Sequence, residues 1–151
     1  MEFEGHFYSS LSTEGTIAYL SDFRKVSACL PGVESVEVQG NQYMVKIRFD
    51  VSEMGHSYIS TLSGKIKAHY EDADRNHVVI SASGRVAGAS LKILLDMGIS
   101  QSDGKTMANW KASVDFGILM KLMGEKNITS IADANIGKIM SCIGKAINPV
   151  S

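Results

Sequence analysis

The stretch ITSIADANIGKIMSCIGKAI, Ile128 to Ile147, decides how the rest of this 151-residue chain is read. At about 100° per residue, Ile128, Ile131, Ala132, Ile136, Ile139, Met140, Ile143 and Ile147 fall within one half of a helix circumference. Gly137, Ser141 and Gly144 fall on the opposite side, flanked by Lys138 and Lys145. The spacing predicts an amphipathic helix over about 128–147, roughly 30 Å long at ~1.5 Å per residue. So broad an apolar stripe has to be laid against another element, and the upstream sequence offers one sheet.

That sheet is written in period two. Glu2 to Ser9 reads as a first strand, with Phe3, Gly5 and Phe7 on one side and Glu2, Glu4 and His6 on the other. Ser12-Thr13-Glu14 reads as a helix N-cap, with Gly15 in the place a capping box gives to Glu, and Ile17, Leu20 and Phe23 supply the apolar edge of one or two short helices. These end at Cys29-Leu30-Pro31-Gly32, because proline disfavours helix at Leu30 and glycine permits a tight turn. Alternation then runs through Val33–Val38, Tyr43–Val51, Leu62–Tyr70, Val78–Ala82, Leu91–Ile99 and Trp110–Phe116, with hairpin signals at Gly40-Asn41 and Asp103-Gly104. About seven strands joined by short turns make an antiparallel sheet. The expectation is one α+β domain over residues 1–151, with a curved sheet wrapped around a long C-terminal helix and short helices between strands 1 and 2.

Composition excludes much. Fifteen Lys+Arg against sixteen Asp+Glu leave a net charge of −1, with no basic footprint for nucleic acid. No apolar run reaches the ~18–20 residues of a membrane span, and Met1-Glu2-Phe3-Glu4 does not open a signal peptide. Two cysteines, Cys29 and Cys142, make no disulfide framework and are expected as free thiols in a reducing cytoplasm. No Cys-x-x-Cys, His-Glu-x-x-His or phosphate-loop motif occurs, and His6, His56, His69 and His77 share no ligand spacing. No metal or cofactor is expected.

A long one-sided sheet twists and curls, and a helix laid across it leaves space unless large side chains fill it. The inward set holds Tyr43, Phe49, Tyr58, Tyr70, Met97, Trp110 and Phe116. Together with Asn135, Ile136, Ile139 and Met140 on the helix, these are the candidate lining of a hydrophobic cavity. The tyrosine hydroxyls and Asn135, a polar residue within the apolar arc, are the candidate orienting groups.

Asp22-Phe23-Arg24-Lys25-Val26-Ser27-Ala28-Cys29-Leu30-Pro31-Gly32-Val33-Glu34-Ser35-Val36 resembles the segment that marks the carbon monoxide dehydrogenase G-subunit family, within the START-like and polyketide-cyclase-like superfamily. The resemblance extends through Phe3-Glu4-Gly5, Gly64-Lys65-Ile66 and Gly84-Arg85-Val86-Ala87-Gly88 to the closing helix. It implies a helix-grip fold around a hydrophobic cavity. It also implies an accessory protein of molybdenum-dependent carbon monoxide dehydrogenases or related hydroxylases, suited to carrying a lipid or quinone. Some members continue into a hydrophobic anchor, and this sequence stops at Ser151.

Three uses of such a fold stay open. The first is a non-enzymatic module binding an apolar small molecule or lipid and assisting carbon monoxide dehydrogenase-type oxidoreductases. The second is a cyclase- or dehydratase-like enzyme in the same cavity, for which His56 and Tyr58 are the one acid–base pair on offer; no residue is assigned a catalytic role. The third is an assembly factor without ligand. Its docking surface would be the Gly137, Ser141 and Gly144 strip, where small residues admit a client enzyme or a second copy of the chain.

Overall fold

Burial alternates residue by residue along β strands such as the first and the last of the chain, and that alternation is the mark of the sheet. In β1 (Glu2–Ser9) Phe3, Gly5 and Phe7 turn inward between exposed neighbours. The computed structural model describes residues 1–50, 61–74 and 76–148, with Phe49 and Asp50 described by their backbone alone. After β1 come α1 (Thr13–Leu20) and α2 (Phe23–Ser27), then β2 (Val33–Gln39), β3 (Gln42–Asp50), β4 (Thr61–Ala73), β5 (His77–Val86), β6 (Ala89–Ser102) and β7 (Lys105–Asp115). A short α3 (Leu119–Met123) leads into the long α4 (Glu125–Ala146).

Among the described residues, seven strands form one sheet in the order β1-β7-β6-β5-β4-β3-β2, every pair antiparallel. β1 and β2 therefore occupy opposite edges, and α1 and α2 span the distance between them. Ser12 caps α1 by accepting from the Gly15 amide at 3.0 Å, and Asp22 caps α2 by accepting from the Arg24 amide at 3.1 Å. At the 103–104 hairpin both turn residues have positive φ, 52° at Asp103 and 78° at Gly104. This is the conformation two-residue hairpins demand and Asp-Gly supplies.

Curvature comes from two glycines facing each other's strands. A Cβ on Gly64 of β4 would lie 2.1 Å from the Arg85 carbonyl oxygen, and one on Gly84 of β5 would lie 2.0 Å from that of Lys65. The two backbones bend together at a separation no side chain tolerates. Two register shifts, between Val33 and Ser35 and between Tyr70 and Asp72, add local twist.

α4 starts three residues before the expected boundary and lies over the concave face. Sequence periodicity does not anticipate α3: five residues are too few to show a period, although Leu119 and Met123 are buried. The junction of β1 with α1 is pinned to the rest by hydroxyls. Thr106 donates to the Leu11 carbonyl at 2.7 Å, Thr16 lies 2.7 Å from Ser9 Oγ, and Ser10 donates to the Ile147 carbonyl at 2.6 Å through Oγ and at 3.2 Å through its amide.

The expectation of two free thiols is corrected by the structure. Cys29, just beyond α2, and Cys142 on α4 form a disulfide with their Cα atoms 5.4 Å apart. The fold brings together residues separated by 113 positions, a proximity no local pattern encodes. The cysteine grounds for a reducing compartment fall with it.

Closing so long a loop restricts the unfolded chain, worth up to about 5 kcal/mol in the chain-entropy picture. Cys142→Ala, and treatment of the unaltered protein with a dithiol reductant, should each lower the urea midpoint by an amount equivalent to roughly 2–5 kcal/mol. A midpoint that reductant leaves in place would show that the bond contributes nothing.

Candidate functional site

Small residues at inward positions make the site. Ala68 on β4 stands directly opposite Ala82 on β5, and Ala112 on β7 stands opposite Leu95 on β6. All point toward α4, and methyl groups there leave the middle of the sheet low. α4 passes overhead with Ile136, Ile139, Met140 and Ile143 turned down, and Phe23, Val26, Leu30 and Pro31 close one side from α2 and the turn that follows it. Between them lies a cavity of about 200 Å3, and every described side chain lining it is apolar.

Exposure supports the void from a second direction. Ala82, Ile93, Leu95, Ile136, Ile139 and Met140 face inward yet are only partly buried, since they border empty space rather than packed atoms. Cavities of about 150 Å3 with such walls stay dry and accept a benzene-sized guest.

Of the sequence-predicted lining, Met97, Ile136, Ile139 and Met140 border this cavity. Tyr43 stands behind it, stacked on Phe23 with ring centroids 4.5 Å apart and edge-on to Tyr70 at 6.5 Å. Trp110 lies over β1, so close to Gly5 that a Cβ there would come within 2.7 Å of the indole. Phe116 packs partly buried just past the end of β7. Asn135 donates through Nδ2 to the Ile131 carbonyl one turn back, at 2.7 Å, and does not reach the cavity wall. The side chain of Phe49 and the whole of Tyr58 lie outside the described residues, as does His56. Sequence reasoning passed over Ala68, Ala82 and Ala112. Their signal was present as alanine at inward period-two positions, where small side chains create room that aromatic ones would fill.

Tyr70 has a structural task. Its hydroxyl donates to the Leu20 carbonyl at 2.6 Å, tying the end of α1 to β4. Burial above all, then the nearby Tyr43 and Asp22, push its ionisation well above the ordinary tyrosine value. The His69–Glu71 pair at 3.0 Å and the short His77–Asp96 contact both sit on the outer face, away from the cavity. Among the described residues no three His, Cys, Asp or Glu side chains gather as metal ligands. No described helix is long and apolar enough to cross a membrane. The arrangement is suited to holding an apolar body; among the described residues its walls carry no acid, base or nucleophile.

The sequence model for the carbon monoxide dehydrogenase G subunit (CoxG) matches residues 5–148. The chain belongs to the CoxG family. Solved structures supply the fold. A conserved protein from Geobacillus kaustophilus superposes with TM-score 0.81 at 16% identity, covering 99% of this chain and 96% of that one. A START superfamily protein from Mycobacterium smegmatis gives 0.67 at 9%, covering 99% of both chains. Zhui aromatase/cyclase from Streptomyces sp. R1128 gives 0.62 at 10%, covering 98% of this chain and 93% of that one. No curated protein sequence matches. At such low identities the likeness speaks for architecture alone, and this CoxG-family chain has the START-type helix-grip fold.

Tyr70→Phe should cost about 0.5–1.5 kcal/mol in urea unfolding, since it strips a partner from a partly buried carbonyl. The raised ionisation fixes the sign of a pH effect. Its stabilisation is complete below the unfolded value of 10.0 and is lost as pH rises beyond it, because the unfolded phenol then releases a proton the folded one keeps. Equilibrium unfolding across that range should show the unaltered protein losing stability more steeply than Tyr70→Phe.

Proposed function

We propose that this CoxG-family protein is a carrier that performs no chemistry of its own: it holds a lipid- or quinone-like molecule and serves a carbon monoxide dehydrogenase-type oxidoreductase. The cavity between α4 and the sheet carries this reading, being walled by apolar side chains from five strands, two helices and the Leu30-Pro31 turn. Affinity in such a space grows with buried surface, about 0.8 kcal/mol for each methylene removed from water. The candidate lining Met97, Ile136, Ile139 and Met140 supplies the contacts, with Phe23 and the three alanines beside them. A turnover site in the same cavity would need a group able to move a proton or attack a carbonyl, and the described lining offers none. The family description supports the choice of client.

Filling the floor tests the proposal. Protein purified from its own host, examined by native mass spectrometry and solvent extraction, should release an apolar molecule in near-stoichiometric amount. Ala82→Phe should come out empty, with a melting temperature equal to or above that of the unaltered protein, because the ring occupies space instead of displacing packed atoms. Equal guest content in both proteins would remove the cavity from consideration.

A further inference from the structure

On β6 the side chains that alternate with the cavity residues Ile93, Leu95 and Met97 are Lys92, Leu94 and Asp96, and these point out from the far face of the sheet. Leu94 is 45% exposed, a large apolar side chain standing open on an interior strand. Its direct cross-strand neighbours are short: Ser81 on β5 and Ser113 on β7. With Ser83 they border a shallow open depression beside it. The leucine therefore rises above its surroundings.

The strand register arranges charge around it. Ser81 stands opposite His69 on β4, so His69, Ser81, Leu94 and Ser113 form a row across four strands. The next outward row on one side reads Lys67, Ser83, Lys92, Asp115; the next on the other side reads Asp72, Val79, Asp96, Lys111. The sign of charge inverts across the central row on β4, β6 and β7, and β5 is neutral at both positions. Along a strand the two outer rows lie roughly 13 Å apart, too far to pair with each other. Among the described residues Lys67, Lys92, Asp72 and Asp115 make no ion pair, while Lys111 lies 3.6 Å from Glu2 and Asp96 contacts His77.

A pattern that inverts about its own midline fits a copy of itself. A two-fold axis laid along the central row, in the plane of the sheet, turns a second copy over so that the outer faces meet and the outer rows exchange. Lys92 then faces the partner's Asp96, Lys67 faces the partner's Asp72 and Asp115 faces the partner's Lys111. Each contact is made twice, and the two leucines meet on the axis. Aligned packing of two sheets face to face is ordinary geometry.

We propose that this outer face is the interface of a symmetric dimer of the chain, centred on Leu94 and held in register by those charge pairs. The cavity lies on the opposite face of the sheet, so pairing leaves both α4 helices outward and does not depend on the carrier reading. Two convex faces touch at their centres and part toward their edges. The contact is therefore smaller than the ~800 Å2 per partner of a standard interface, and dimer and monomer exchange with concentration.

Sedimentation equilibrium of the full chain across the micromolar-to-millimolar range tests this. The unaltered protein should shift from monomer to dimer as concentration rises, and added salt should weaken the dimer. Leu94→Lys and Leu94→Glu should each weaken it about tenfold or more, since like charges then meet on the axis, with melting temperatures unchanged because the side chain is nearly half exposed. Mixed in equal amounts, the two variants should form a heterodimer, the introduced lysine of one copy meeting the introduced glutamate of the other. Lys92→Glu and Asp96→Lys should behave as a second such pair, each weak alone and restored on mixing. A monomer at every concentration, a dimer indifferent to all four substitutions, or mixtures no stronger than their components overturns the proposal.

Discussion

α4 is seated like a beam on two supports, and the rest of the molecule follows from that. Ile128 and Ala132 are buried near its start, and Ile143 and Ile147 at its end. Between them Asn135, Ile136, Ile139 and Met140 are only partly covered. Burial at both ends is enough to hold a helix of 22 residues against the sheet. The centre is therefore not what holds the helix in place, and the packing lost over the space beneath it is what a guest would restore.

The sheet meets this arrangement halfway. The close approach of β4 and β5 at Gly64 and Gly84 bends the strands, while Ala68, Ala82 and Ala112 keep the inner surface shallow where α4 passes. Any of the three alanines replaced by a branched residue would raise the floor toward the ceiling. The site is thus a property of which positions carry small side chains, and the same backbone could be solid.

Much of the architecture was legible before any coordinates, because it rests on local periods. Alternation within the strands, as in Glu2–Ser9 and Lys105–Asp115, fixes which side chains face in, and the isoleucine stripe of residues 128–147 fixes how the helix lies. Short elements and long-range pairings were not legible: α3 has too few residues to show a period, and nothing near Cys29 or Cys142 points to the other. The cavity itself sits between these cases. Large aromatics drew attention as lining, whereas Tyr43 and Trp110 consume space by stacking on Phe23 and covering Gly5. Asn135 looked like a polar group aimed at a guest, but an asparagine in mid-helix readily bonds the carbonyl one turn back, and here it does.

The sulfur bond also changes the topology of the polymer. Residues 29 to 142 form a closed ring that contains β2 through β7, with β1, α1 and α2 left as a tail outside it. A protease cutting anywhere within that ring would leave the two pieces joined, and their separation on a denaturing gel would depend on a thiol in the sample buffer. Under tension applied at the two termini, the molecule would lengthen only by the segments outside the ring, and the strands within it would be shielded from the load.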